Sequence, residues 1–320
     1  MVDLDELRSH LRERYGFRAQ TVFTLDQDVL LLRRDDGPNW VARVFPLERT
    51  AEVVAGDAEI LRWLRDEGYP AERVACEEPV TVVADQAVLV TEAVAAVPRA
   101  ERRAAIKDAG GIRGLGQLLA RLHQLETPAG SPRRPGGAWH HMVALGAPSD
   151  ELKAAAEWLE QAEAQAPARD LTHFSALAEA LAAADACEGL PQAFVHADFV
   201  LGNVVAGTDG EMVLVDWAGS GLGPRLWSLA FLLWAEGSKD LRRVDLALAG
   251  YARQLRLEPE ELERLEGAVL ARPLVFDIWR LRNRGLVAAD AVRNAEDARE
   301  RARAIAARAR AAIASRKTDV

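Results

Sequence analysis

The chain has 320 residues, 49% hydrophobic and 28% charged, enough to bury one large domain or two lobes. A formal net charge of -9 and a pI of about 5.3 argue against a general nucleic-acid binder. With no run of about 18 apolar residues, no membrane span is expected. Cys76 and Cys187 form neither a metal-spaced pair nor a disulfide framework, which points to a reducing cytoplasm.

In chain order, the charged N-terminal stretch MVDLDELRSHLRERYG reads as an amphipathic helix rather than a signal peptide. Ala19 to Leu25 and Val29 to Arg33 read as strands, since aliphatic and β-branched residues cluster between polar breaks. Asp35-Asp36-Gly37-Pro38 signals a turn, and Asn39 to Phe45 alternates as a third strand. Thr50 to Gly68 changes to helical spacing, with Val53, Val54, Ile60, Leu61 and Leu64 on three- and four-residue steps and Gly68 as the stop. Thr81 to Ala84 and Ala87 to Thr91 read as two more strands.

Beyond a connector at Glu92 to Pro98 the pattern is mainly helical. Arg113 to Leu125 places Leu115, Leu118, Leu119, Leu122 and Leu125 on one face. Gly130 to Gly137 is a loop. Helical stretches follow at Asp150 to Ala166 and Phe174 to Cys187. Short strands return around Val204 and Val213 to Val215, and helices resume near Trp227. In the Arg-rich final stretch, Ala291 to Lys317, Ala295, Ala298, Ala302, Ile305 and Ala309 fall at helical intervals. A docked terminal helix is expected, not a basic arm, because acidic residues interleave the arginines. The expected division is a small mixed lobe at 1–92, a hinge at 93–98 and a helical lobe at 99–320.

Phe194 to Trp217 carries the chemistry. Asp198 sits in a loop after the apolar Ala193-Phe194-Val195 run, where a rigid strand can present a carboxylate at a fixed point. Asn203, five residues on, offers a neutral hard oxygen, and Asp216 closes the Val213-Leu214-Val215 strand with an anionic one. Mg²⁺ takes one or two protein oxygens and completes six positions with phosphate and water. Asp198 would orient a hydroxyl or accept its proton, while Asn203 and Asp216 hold the metal. This set suits phosphoryl transfer from a nucleoside triphosphate such as ATP. His196 is expected to brace the loop by hydrogen bonding.

This segment resembles the catalytic and metal loops of the aminoglycoside phosphotransferase and choline kinase superfamily. Ala197 stands where the family often has Gly. The resemblance implies an α+β, protein-kinase-like bilobal fold, with a small antiparallel-sheet lobe, one helix and a larger helical lobe. It also implies ATP and Mg²⁺ as cofactors and a small-molecule hydroxyl acceptor, while charge and hydropathy point to no nucleic-acid or membrane partner. Arg43, in Trp40-Val41-Ala42-Arg43-Val44, looks like the family's phosphate-contacting cation, and Glu59 like the acid that pairs with it. Val88 to Ala93 resembles the strand running into the hinge, where the Thr91 carbonyl and Ala93 amide would meet adenine. Leu119-Ala120-Arg121-Leu122-His123 is similar to a family helix, with His123 expected in the core.

Two departures stand out. The stretch TVFTLDQDVLLL lacks the glycine that lets backbone amides approach phosphate. Ser228 stands where an Asp commonly braces the catalytic loop. Both support an alternative, a catalytically weak nucleotide-binding or regulatory protein on the same scaffold. For a polycationic acceptor, Asp150, Glu151, Glu157, Glu160 and Asp277 are the candidate acids. Trp139, His140, His141 and Trp279 are candidates to shape a pocket. The sequence leaves the acceptor open.

Overall fold

The computed structural model describes residues 3–16, 19–26, 28–35, 37–127, 134–283 and 285–317. Position 36 of the expected Asp35–Pro38 turn and residues 130–133 of the expected Gly130–Gly137 loop lie outside them. In chain order the elements are α1 (Leu4–Tyr15), β1 (Ala19–Asp26), β2 (Val29–Arg34), β3 (Trp40–Val44), α2 (Ala51–Asp66), β4 (Val80–Val83) and β5 (Gln86–Glu92). Then come α3 (Arg102–Asp108), α4 (Gly111–His123), α5 (Pro148–Glu163), α6 (Leu171–Ala182), β6 (Gln192–Val195), β7 (Val204–Ala206), β8 (Met212–Leu214) and β9 (Gly221–Pro224). Helices α7 (Arg225–Gly237), α8 (Arg242–Tyr251), α9 (Pro259–Arg282) and α10 (Ala288–Lys317) complete the chain. This is the expected α+β, kinase-like architecture. No helix among the described residues is long and apolar enough to cross a membrane.

The chain forms two compact units. One comprises Met1–Ala109 and Val204–Ala218, the other Gly110–Thr127, Arg134–Asn203 and Gly219–Val320, each over its described residues. The division differs from the expected one: residues 93–109 and the β7–β8 hairpin count with the sheet. The reason is backbone pairing. Leu214 donates to the Pro70 carbonyl at 2.9 Å and accepts from the Glu72 amide at 3.1 Å, and Val97 donates to Ala206 at 3.0 Å.

The first unit is built on an antiparallel five-stranded sheet in the order β1-β2-β3-β5-β4. Period-two alternation sorts its faces. Leu30, Leu32, Trp40, Ala42 and Val44 pack with Leu7 and Leu11 of α1 and with Val88 and Val90. Arg43 and Val41 therefore point the other way, toward Leu61 and Asp57 of α2. Helix α2 starts where Thr50 Oγ1 accepts the Val53 amide at 3.4 Å, a typical N-cap. It ends at Asp66, just before the expected stop at Gly68, whose φ of 66° suits a residue without Cβ.

In the second unit, α5, α6, α9 and α10 share a core that includes Trp158, Phe174, Leu274, Ile278, Ala291 and Ala295. Ala298, Ala302, Ile305 and Ala309 are also buried, so α10 is the docked helix its small-residue stripe implied. Helices α4 and α8 approach closely through glycine. A Cβ on Gly116 would stand 2.0 Å from the Ala247 carbonyl oxygen, and one on Gly250 1.9 Å from that of Arg113. The strand β9 was not anticipated, since Gly-Leu-Gly-Pro carries turn signals. It pairs antiparallel with β6, Phe194 opposite Leu222, and so fixes the strand that leads into the Asp198 loop.

Candidate active site

The candidate residues fall in both units. In the helical unit, β6 delivers the chain to His196, which is fully buried. The Asp198 amide donates to His196 Nδ1 at 3.0 Å, and Ser228 Oγ on α7 donates to the His196 carbonyl at 2.8 Å. His196 thus braces the loop. Ser228 does for a carbonyl what a carboxylate would do for amides. A second tie comes from Arg272 of α9, whose Nη2 donates to the carbonyls of Ala197 at 2.8 Å and Gly137 at 2.9 Å.

Asp198 is itself oriented. Asn203 Nδ2 donates to Asp198 Oδ2 at 2.7 Å and to the Asp198 carbonyl at 2.9 Å. With its nitrogen committed there, the amide oxygen of Asn203 is the atom of a kind that a hard cation would take. Asp198 also lines a cavity of about 370 Å³ together with Trp139, Phe231 and Trp234.

Arg272 is buried and pairs with Glu151 at 3.3 Å. Glu151 Oε2 also accepts the Trp139 amide at 2.6 Å. Burial pushes the Glu151 carboxyl up, against the opposing pull of Arg272 and the Trp139 amide. His123 is in the core, with Nδ1 2.9 Å from the Tyr251 hydroxyl. Burial, with help from Arg225, lowers its pKa to about 3.

In the sheet unit, Asp216 follows β8 with a φ of 70°, a left-handed conformation that Asp tolerates better than most residues. Its amide donates to Glu72 Oε1 at 2.7 Å, and its Oδ1 lies 2.9 Å from Arg43 Nη1. Glu72 Oε2 accepts from Thr91 Oγ1 at 3.0 Å. Burial works against the Arg43 charge, but Asp216 and Glu72 outweigh it and hold its pKa above the ordinary value. Burial raises the Glu72 carboxyl, opposed by Arg43 and the Asp216 amide. Arg43, Glu72, Asp57 and Thr91 border a void of about 10 Å³, the size of about one water molecule.

Two expectations are corrected by these contacts. Glu59, expected to pair with Arg43, is exposed on α2, and the acid bonded to Arg43 is Asp216. The buried carboxylate of α2 is Asp57, held by Arg49 at 2.7 Å from both oxygens. Two positions are about 200° of helix turn, so Asp57 and Glu59 face opposite ways. The Ala93 amide, expected to meet adenine, donates instead to the Asn39 carbonyl at 2.7 Å, because sheet pairing continues one step past β5. Thr91 is buried opposite Val41.

Among the described residues no group of three or more His, Cys, Asp or Glu side chains could hold a metal ion. Asp216 and Asn203, the expected metal ligands, are an anionic and a neutral oxygen donor, one in each unit. Glu72 and Arg272 escaped the sequence reading.

The chain's sequence matches the model of a phosphotransferase enzyme family over residues 24–268, most of its length, and it belongs to that family. Its fold is similar to that of amicoumacin kinase hAmiN, solved with AMP-PNP, Ca²⁺ and Ami, at 16% identity, 93% of each chain covered and a TM-score of 0.66. It is also similar to choline kinase LicA from Streptococcus pneumoniae, at 15% identity, 92% of this chain and 97% of that one, and a TM-score of 0.60. The aminoglycoside phosphotransferase APH(3'')-Id from Streptomyces rimosus gives 18% identity, 84% and 99% coverage, and a TM-score of 0.55. At such identities these three speak for the fold. No curated protein matches the chain in sequence.

Proposed function

We propose that this member of the phosphotransferase family is a small-molecule kinase that uses ATP and Mg²⁺ to phosphorylate an alcohol. The observation that carries the reading is the Asp198–Asn203 pair. One amide holds both the carboxylate and the carbonyl of Asp198, as a group that must receive a hydroxyl requires. In the reaction the acceptor oxygen forms a bond to the terminal phosphorus as the bond from that phosphorus to the bridging oxygen breaks. The hydroxyl proton passes to Asp198, and the nucleoside diphosphate leaves. Mg²⁺, held by Asn203 and Asp216, would offset the charge on the phosphate oxygens. Arg43 contributes positive charge to the same phosphates, and the strand end around Thr91 is where the base is proposed to lie. Solved relatives in fold that carry AMP-PNP or ADP support the nucleotide part of the reading.

The test is Asp198→Asn, an isostere unable to take the proton. Phosphorylated product, followed by phosphorus NMR, should fall by about 10²-fold or more, while calorimetric nucleotide affinity stays within about twofold. Unchanged product formation would remove the assigned role. Binding of nucleotide with no transfer to any acceptor would favour a regulatory protein on the same scaffold.

A further inference from the structure

Where α7, α8 and α10 meet in the helical unit, the chain forms a pocket that the proposed phosphoryl transfer does not use. The end of α7 is pressed against both other helices. A Cβ on Gly237 would stand 2.8 Å from Val244 Cγ2 and 2.9 Å from Ile305 Cγ1. Beside that junction lies a pocket of about 280 Å³, bordered by Ser238, Lys239, Asp240 and Leu241 after α7 and by Arg301 and Ala304 of α10. None of these residues lines the cavity at Asp198. The volume falls just below the usual small-ligand range, roughly 300–1,000 Å³, and so suits a ligand of few atoms.

The charges around this pocket do not cancel. Glu236, fully buried at the end of α7, accepts from Lys239 Nζ at 2.7 Å and, through its other oxygen, from Arg243 Nη1. Two cations thus share one acid. Asp240 is matched by Arg242 at 2.9 Å, and Asp245, farther along α8, is held by Arg308. Arg301 brings a second excess positive charge. It is exposed and makes no ion pair among the described residues, although Asp297 lies one turn back on α10. In a chain with a formal net charge of -9, two excess positive charges about one small pocket are a feature that an anion complements. Ser238 adds a donor. Its Oγ is buried without a hydrogen-bond partner among the described residues, an uncommon state for a buried hydroxyl, and its rotatable proton can be given to an anion oxygen.

We propose that this pocket binds a phosphate dianion, either free or as the phosphate group of a small ester. Arg301 and Lys239 supply the charge, and Ser238 Oγ supplies a hydrogen bond. The planar guanidinium of Arg301 can meet two phosphate oxygens at once. A monovalent carboxylate leaves one of the two excess charges unmatched and is the poorer ligand. The site depends neither on ATP use nor on Asp198, so it stands or falls apart from the phosphotransferase reading.

The experiment titrates the full-length protein in a calorimeter with sodium phosphate, glycerol 3-phosphate and sodium acetate, at fixed ionic strength and about pH 8, where phosphate is a dianion. Saturable binding of at least one phosphate compound is expected, with a Kd of about 1 mM or tighter, and acetate should bind about tenfold more weakly or not at all. The tighter of the two phosphate compounds identifies the source. Arg301→Gln should weaken phosphate about tenfold or more, the loss of a charged hydrogen bond, and Arg301→Lys should lose less. Arg303→Gln removes a cation that pairs with Glu266 outside the pocket and should stay within about twofold. Ser238→Ala should weaken phosphate about threefold or more, with an unchanged thermal midpoint, because the hydroxyl has no protein partner to lose. Phosphate bound more weakly than expected, or not at all, would overturn the site. Acetate bound as tightly as phosphate would overturn the dianion. Equal losses in Arg301→Gln and Arg303→Gln would reduce the binding to general surface charge and overturn the pocket, and a Ser238→Ala protein that binds like wild type would overturn the seat against the end of α7.

Discussion

The Asp216 amide donates to Glu72 Oε1 at 2.7 Å across 144 residues of sequence. The same carboxylate takes the Thr91 hydroxyl through its other oxygen and lies close enough to Arg43 to raise its pKa. Glu72 therefore holds the backbone of the proposed anionic metal ligand in its left-handed turn and shares Arg43 with it.

Glu72→Ala should weaken Mg²⁺-nucleotide binding by about tenfold, since a hydrogen bond to a charged group contributes roughly 1.5–3 kcal/mol. Glu72→Gln retains an acceptor for the Asp216 amide and should lose less. Calorimetry with Mg²⁺-nucleotide separates the two variants. Identical affinities for wild type and Glu72→Ala would show that Asp216 keeps its geometry without this carboxylate.

Arg272 and Glu151 make a buried pair that ties the Ala197 carbonyl to the Trp139 amide. Removing one partner of such a pair costs about 3–5 kcal/mol, because the other charge is left in the interior. Glu151→Ala should accordingly lower denaturant stability by that order. The double variant Glu151→Leu/Arg272→Met should recover much of the loss but still turn over poorly, because the Asp198 loop has lost its tie at Ala197. A double variant no more stable than Glu151→Ala would mean that hydrogen bonds from Arg272 to carbonyls, not charge pairing, dominate.

The contrast between Asp198 and Glu72 shows what sequence could convey. Asp198, Asn203 and Asp216 lie within nineteen positions of one another, and their oxygen-rich spacing beside apolar strands carries its own chemical logic. Periodicity likewise gave the faces of α2 and α10. Glu72 lies in AERVACEEP, where three acids look alike, and only tertiary contact singles it out. Arg272 is one of many arginines in a helical stretch. The errors have local causes: Glu59 lies about 200° round the helix from the buried position, and Ala93 was placed by analogy with a hinge, whereas sheet pairing with Asn39 had not yet ended.

Ser228 occupies a position where a carboxylate was expected, yet its hydroxyl reaches the His196 carbonyl at 2.8 Å in a buried setting. Ser228→Ala leaves that carbonyl without this donor and should cost about 1–3 kcal/mol of stability. Because His196 in turn holds the Asp198 amide, kcat should fall more than acceptor KM rises. Ser228→Thr, which keeps the hydroxyl, should restore part of kcat. A thermal shift with unchanged kcat would confine Ser228 to stability.

His123 gives the fold a defined acid sensitivity. Burial lowers its pKa to about 3, against roughly 6.5 in the unfolded chain. Between these values the unfolded chain binds the proton and the folded one does not. Stability from this group is therefore complete above about pH 6.5 and declines as the pH falls toward 3. From pH 7 to pH 5 the loss should be about 2 kcal/mol, at roughly 1.4 kcal/mol per pH unit once the unfolded histidine is charged. His123→Asn cannot take up a proton, so its stability should fall less over that interval by about the same amount, even if its stability at pH 7 is lower because the Tyr251 contact has changed. Urea melts of both proteins at the two pH values give the comparison. Parallel losses would place the acid sensitivity in other groups, the buried carboxylates first among them.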